Sequence, residues 1–362
     1  MKSESTTDLT GLTRDEMVNL VRSLGGTSVQ ARRLARSLHD SRVPDVRAIP
    51  GVAARLLAKL AEVAHVGRLV RCGVLRSATS EGTRKLLCET TDRFPVESVL
   101  FPSHQDRLRL TLCLSSQAGC RMGCAFCATG ALGFRRQLTA GEMVAQVWEA
   151  LALMDRGEFL NNVVFMGMGE PFDNFGEVSR AIRILHADEG FRLAYDKITL
   201  STCGLLPGME SMARELPRVA LALSLHSVRN ATRNQLVPCN RRYPVEALLS
   251  FLRTYPKKGC KAFCIEYCLM AGLNDSEAEA VELAQALEGI VHKIHLIPLN
   301  PVPGLPFERP TEQAIRRFAD AARLAGGSIV LRDSRGEDIA AACGQLGASH
   351  LATRAGADRS AG

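Results

Sequence analysis

Cys120-Arg121-Met122-Gly123-Cys124-Ala125-Phe126-Cys127 carries more chemistry than any other stretch of this 362-residue chain. Its three cysteines follow a CX3CX2C spacing, with an aromatic residue just before the last. Three thiolates so close together can hold three corners of a [4Fe–4S] cube and leave the fourth iron without a protein ligand. A cluster meant only for electron transfer normally has four protein ligands, so an open iron points to a molecule chelated on it. Two plainer readings compete, a structural zinc knuckle and a redox CXXC made of Cys124 and Cys127. Zinc wants four ligands, commonly as two separated pairs or with an HX3–5H partner, and no such histidine pair follows. The triplet therefore reads first as cluster ligands.

Outward from this motif the chain repeats a unit: a short apolar strand, a polar or glycine-rich turn, then a helical stretch. The expected strands are Leu108–Leu114, Val163–Met166, Ile198–Leu200, Val219–Leu223, Phe263–Leu269 and Ile294–Ile297, with another near Ile329–Arg332. Strands alternating with helices predict an α/β fold with a parallel sheet, and six such units suit a partial (β/α)6 barrel. The turns after the strands hold the reactive groups: Ser115 to Cys127, Gly167-Met168-Gly169-Glu170, Ser201-Thr202-Cys203-Gly204, Ser224-Leu225-His226 and Asn300-Pro301. That is the C-terminal rim, where barrels of this kind place active sites.

Upstream, residues 1–75 read as a small helical unit. Thr13 with Glu16 forms a capping box, and Leu12 and Met17 are spaced for a hydrophobic staple. This first helix is expected to stop at Gly25-Gly26, and further helices fit Ser28–His39 and Gly51–Ala64. Residues 76–107 read as a short β extension around Lys85–Glu89 and Pro95–Phe101. The barrel then spans 108–347, and 348–362 read as a flexible tail.

Composition is ordinary for a globular chain, 46% apolar and 23% charged. The opening MKSESTTDLT has no signal-like apolar core, and no apolar run is long enough to span a bilayer. The expected location is the cytoplasm, where twelve cysteines argue for metal or thiol chemistry over a disulfide framework. The net charge of +7 is uneven: residues 1–112 hold 18 Lys/Arg against 12 Asp/Glu, and the rest is nearly balanced. A basic first unit suits a phosphate-rich partner, although an arginine-rich solvated helix face accounts for the same charges.

Other groups carry less on their own. Gly167-Met168-Gly169-Glu170-Pro171 is not GxGxxG, and no GxxxxGK[ST] loop exists, which argues against nucleotide hydrolysis. Cys343 and Cys113, taken alone, read as packing thiols. Cys260, Cys264 and Cys268 share an i, i+4, i+8 spacing, but the alternation of Phe263, Ile265, Tyr267 and Leu269 marks a strand and makes these core thiols. His292 and His295 show no metal-ligand pairing.

Taken together, several segments resemble the RlmN/Cfr family of radical S-adenosylmethionine (SAM) RNA methyltransferases. They are Leu112 to Cys120, Cys127-Ala128-Thr129-Gly130, Met166 to Pro171, Leu296 to Pro301 and Ala341 to Leu346. The likeness is collinear from about Asp8 to Leu346. The proline after Met-Gly-Met-Gly-Glu and the Leu-Asn-Pro context sit on the RlmN side. The resemblance implies one [4Fe–4S] cluster on Cys120, Cys124, Cys127 and SAM, two SAM per turnover, and methylation of an adenosine ring carbon in 23S rRNA and certain tRNAs. It implies SAM contacts at Gly169, Glu170, Ser201, Ser224, Leu225, His226 and Asn300. It also implies that Cys343 carries the methyl group, that Cys113 resolves the protein–RNA adduct through a transient disulfide, and that Glu97 accepts a proton. RNA, an electron donor such as flavodoxin, and no membrane are the expected partners of a monomer. Three departures stand out: a longer stretch between Glu97 and Cys113, Phe172-Asp173 after Gly-Glu-Pro, and Cys203 in Ser-Thr-Cys-Gly. Carbon 2 is the expected target; carbon 8 chemistry of the Cfr kind and a non-catalytic RNA binder with a structural metal are the rivals.

Overall fold

The computed structural model describes residues 6–351 apart from 42, 104 and 257–261. Its backbone is organised by one ten-stranded sheet in which every strand lies beside its neighbours in sequence. We number its strands β1 (Val70–Arg76), β2 (Arg84–Glu89), β3 (Pro95–Pro102), β4 (Arg109–Cys113), β5 (Phe159–Phe165), β6 (Ile198–Thr202), β7 (Ala220–Ser224), β8 (Phe263–Leu269), β9 (His292–Pro298) and β10 (Ile329–Leu331). From β4 to β10 every pairing is parallel, and β1 to β4 pair antiparallel. The parallel half needs a crossover helix between each pair of strands. Those helices are Ala140–Leu151, Phe175–His186, Leu206–Glu215, Val245–Thr254, Glu277–Ala286 and Glu312–Leu324, giving the six βα units that the apolar periodicity predicts.

Each parallel strand buries one face under its helices and turns the other inward. In β8, Phe263, Ile265, Tyr267 and Leu269 are buried, while Cys264 and Glu266 stay partly accessible on the opposite face. Val99 of β3 and His295 of β9 line the same cavity, so the sheet is curled into a partial barrel. Among the described residues β10 has no further strand partner in this sheet. The chain after it crosses the gap and bonds back to the opposite end of the sheet. Asp338 accepts from Ser77 Oγ at 2.6 Å and Ala78 N at 2.7 Å, Arg335 Nη1 donates to the Pro102 carbonyl, and Lys85 Nζ donates to Ala340 O at 3.0 Å.

Strand β1 lacks a sequence counterpart among the expected elements. Its residues are mostly exposed, and its pairing with β2 is irregular between Arg71 and Gly73, so it never shows the alternation that flags a strand. The expected first helix is Arg14–Ser23, with Thr13 N–H on the Glu16 carboxylate at 2.8 Å and Met17 buried. The others run Ser28–Ser41 and Ala54–Val63. Residues 348–351 are helical rather than tail-like; of the expected tail, 352–362 lie outside the described residues, as does Cys260.

The N-terminal helices dock on the barrel through a close backbone approach. A Cβ on Gly11 would stand 2.7 Å from the Gly141 backbone nitrogen, and one on Gly141 would overlap the Asp8 carboxylate. That carboxylate is already committed, accepting from Thr10 N at 2.9 Å and Gly67 N at 2.8 Å. Beside it, Arg180 Nη2 donates to Gly11 O at 3.2 Å. His39 packs between Trp148 and Phe191, and burial pushes its imidazole down to about 4, so it docks as a neutral ring. Gly11→Ala has no room on the backbone side and is expected to cost about 1–3 kcal/mol by overpacking. Urea unfolding checks this: a midpoint equal to wild type means the two backbones lie further apart than the geometry requires.

Candidate active site

Two adjoining cavities open at the C-terminal ends of β4 to β9. The smaller, of about 160 Å³, is lined by Cys120, Cys124, Cys127, Gly169, Glu170, Ser201, Ser224 and His226. The larger, of about 340 Å³, is lined by Cys113, Asn162, Glu266, His295, Asn300, Arg332 and Cys343. Cys343, Cys127 and Glu266 belong to both walls.

The cysteine motif is held at the rim by local bonds. Ala125 N donates to Leu236 O at 3.0 Å, and Phe126 meets the His226 ring edge-on at 4.9 Å. His226 has a positive φ of 60° and accepts from Cys268 N at Nδ1 over 3.0 Å. Such strained backbone persists only where its surroundings fix it. Among the described residues no three His, Cys, Asp or Glu side chains converge on a single-ion site. Three thiols that each bind a different iron need not converge, so the donor set fits a cluster better than one zinc.

The Gly167 to Glu170 turn is zipped onto the cysteine segment. Ser116 N and Gln117 N donate to Met168 O at 2.8 and 3.1 Å, and Glu170 N donates to Gln117 Oε1 at 3.0 Å. Gly169 has φ +102°, and a Cβ there would come within 2.5 Å of Gln117 Cβ, so only glycine lets this turn lie against the cysteine segment, and its backbone lines the small cavity. Glu170 is buried; its carboxylate accepts from Phe172 N at 3.0 Å and Cys203 N at 2.9 Å, and burial raises its pKa. A buried acceptor beside a glycine cradle and three thiols suits a ligand carrying an ammonium group.

Ser201 and Ser224 reach the wall as expected, but both donate to Glu266 Oε2, at 2.7 and 2.8 Å. Glu266 was not among the sequence candidates. Its signal was legible, since a charge sits in β8 on the face opposite the buried residues. Leu225 does not line either cavity: its side chain is fully buried, and only its backbone serves the rim, accepting from Arg233 Nε at 2.8 Å. The wholly buried Arg233 also donates to Cys203 O at 2.6 Å and Asn240 Oδ1 at 2.7 Å, tying the ends of β6 and β7 together. Asn300 lies on the larger cavity, donating to Cys343 O at 3.2 Å. Cys203, one of the departures, stands with its sulfur 3.3 Å from that of Cys239.

Cys343 is reached by solvent through the cavities yet surrounded by protein. Burial and Glu266 push its thiol up to about 11, and Arg332 works the other way. Cys113, at the end of β4, is raised by burial and by Cys343, near enough that charge on one opposes charge on the other. The structure thus gathers Cys113 and Cys343, 230 residues apart, on one wall. It does not bring Glu97 to either cavity. Glu97 is fully buried, its carboxylate 2.8 Å from Lys85 Nζ. Cys264 faces His295, sulfur to Nδ1 3.0 Å, and Cys268 is buried.

A family model described as the radical SAM superfamily matches residues 114–284, which include the cysteine motif and most of the rim. The dual-specificity RNA methyltransferase RlmN of Halorhodospira halophila is 42% identical, covering 94% of this chain and 93% of its own. That of Pseudomonas fluorescens is 41% identical, covering 94% and 89%. A crystal structure of a radical SAM methyltransferase from Sphaerobacter thermophilus superposes with a TM-score of 0.87 at 40% identity, over 94% of this chain and 99% of that one. With the cysteine triplet, the glycine cradle and the paired thiols on one rim, these likenesses place the chain in the RlmN family of radical SAM RNA methyltransferases.

Proposed function

We propose that this enzyme methylates carbon 2 of an adenosine in folded RNA, 23S rRNA and certain tRNAs, and that Cys343 carries the methyl group in transit. The observation that supports this reading is the position of Cys343 on the wall common to both cavities, with Cys113 beside it in the larger one. A thiol so placed faces a cofactor on one side and a base on the other.

Cys120, Cys124 and Cys127 would hold the [4Fe–4S] cluster, with Gly169 and Glu170 at the amino group of SAM and Ser201, Ser224 and His226 along its wall. Leu225 would act through its backbone, and Asn300 through Cys343. When bound, cluster and SAM supply the methyl group and a one-electron cleavage that yields a hydrogen-abstracting radical, using two SAM per turnover. An adenine carbon between two nitrogens is electrophilic and does not attack a methyl group as a nucleophile. Cys343, as a thiolate, is the good nucleophile that does. Once the carbon has joined the base, Cys113 helps remove the ring proton and then, as a thiolate, attacks the Cys343 sulfur. The sulfur–carbon bond breaks with its electron pair left on the bridging carbon, which takes up a proton to become the methyl group. The carbon is thereby reduced as the two thiols are oxidised to a Cys113–Cys343 disulfide. Such a bond is transient and catalytic, the kind a reducing compartment tolerates. We place the enzyme in the cytoplasm as a monomer, supplied with electrons by a small flavoprotein such as flavodoxin. No helix among the described residues is long and apolar enough to cross a membrane.

Nucleoside mass spectrometry of RNA from cells with and without the gene tests the reading directly. Loss of 2-methyladenosine is expected; loss of 8-methyladenosine would move the chemistry to the other carbon, and unchanged RNA would refute the assignment. The two thiols should fail differently. Cys343→Ala is expected to give neither S-methylcysteine nor RNA adduct, whereas Cys113→Ala should accumulate covalent protein–RNA species on a denaturing gel. Adduct-free failure of both would end the division of labour. Arg32 and Arg33 are exposed on the helix Ser28–Ser41. If they meet phosphates, Arg32→Ala with Arg33→Ala should flatten the log–log salt dependence of RNA binding by about 0.9 for each phosphate no longer neutralised. A filter-binding titration with an unchanged slope would leave RNA capture to the barrel rim.

A further inference from the structure

One buried ion pair holds both ends of the segment that carries Cys343. Lys85 of β2 stands opposite Val99 of β3, which sets Glu97 on its diagonal and on the same face. Lys85 Nζ lies 2.8 Å from Glu97 Oε2, and both side chains are 1% exposed. Lys85 also donates to Ala340 O at 3.0 Å, three residues before Cys343. Four residues after it, Gly347 N donates to Glu97 Oε2 at 2.9 Å. The other oxygen, Oε1, takes Ser349 Oγ at 3.4 Å and lies 3.5 Å from His350 Nε2. Between these ends, Ala128 N donates to Gly344 O at 2.8 Å and Thr129 Oγ1 to Leu346 O at 2.7 Å, joining the segment to the residues just after Cys127.

We propose that Lys85 and Glu97 are positioning residues: together they clasp Ala340 to Gly347 and set Cys343 on the wall between the two cavities, and Glu97 acts through that segment instead of taking a proton from the substrate. Neither side chain lines either of the two cavities described above, which is where the reacting atoms would sit. Both carboxylate oxygens are already engaged within the protein. Burial opposes its charge, yet His350, Lys85 and the Gly347 N–H hold its carboxyl below the usual range, which makes it a weak proton acceptor. A buried pair adds little net stability over an apolar replacement. Its hydrogen bonds to two backbone positions specify where the segment lies. The inference rests on Cys343 being the methyl carrier, but its physical content is the placement of the loop.

Two variants of the cluster-loaded enzyme test it. Glu97→Gln keeps an oxygen for Lys85 and Gly347 N and an amide for Ser349, but cannot accept a proton. The clasp predicts RNA turnover within about tenfold of wild type, the scale of one weakened hydrogen bond, and no accumulated adduct. A stalled protein–RNA adduct in this variant would show Glu97 to be the base and overturn the proposal. Lys85→Met with Glu97→Met removes both charges and, as an apolar pair, should leave the global unfolding midpoint close to wild type. Peptides covering 340–350 should then exchange amide hydrogens about tenfold faster, and iodoacetamide should modify Cys343 faster by a similar factor. Exchange and alkylation at wild-type rates would overturn the clasp. If the double variant does not fold, the Glu97→Gln outcome decides alone. Exchange does not depend on a methyl group, so a failure of the carrier reading appears separately, as wild-type protein without S-methylcysteine.

Discussion

An open sheet has to be closed by something. In this enzyme the closure is the polypeptide that follows β10, which crosses the gap and is anchored on β2 and β3 by Lys85, Glu97 and the loop before β2. The larger cavity exists because this segment forms one of its sides. Strand β10 pairs over only three residues with β9, so the sheet itself does not bring Cys343 near Cys113. The crossing segment does.

From that closure the division of space follows. The glycine cradle and the thiol triplet sit on strand ends whose positions are set by backbone bonds between consecutive rim turns. Arg233, with no solvent contact, gathers carbonyls from the ends of β6 and β7 and keeps that side of the rim rigid. Strand ends tied to one another on one side and an anchored segment on the other leave little freedom for misplacing the Cys343 sulfur, the condition under which proximity lowers a barrier.

Much of this was legible in the chain. Strands with a fully buried face announce themselves by alternation; Phe263–Leu269 matches to the residue, whereas Phe159–Phe165 is read from the sequence only from Val163 onward. The triplet and the turn after Phe165 were legible because their chemistry is contained in a few consecutive residues. What escaped depends on contacts between distant residues. Glu266 is a conspicuous charge in a strand, yet only the fold shows that Ser201 and Ser224 point at it. The resemblance implies a proton acceptor at Glu97, and only the fold shows its carboxylate buried against Lys85 and off both cavities. Strand β1 escaped because an exposed, bulged edge carries no apolar period.

That same edge has a colloidal consequence. Strand β1 closes one end of a ten-stranded sheet and leaves a row of backbone groups unpaired within it, with Val70 52% and Leu75 41% exposed. A bare edge of this kind invites a second copy to add a strand, and charged side chains are what keep copies apart. Arg71 and Arg76 lie on it. Positive charge here therefore protects solubility whatever it contributes to RNA capture. Neutralising the edge would confuse a weaker RNA complex with a self-associating protein, a confusion that the helix-borne arginines do not share.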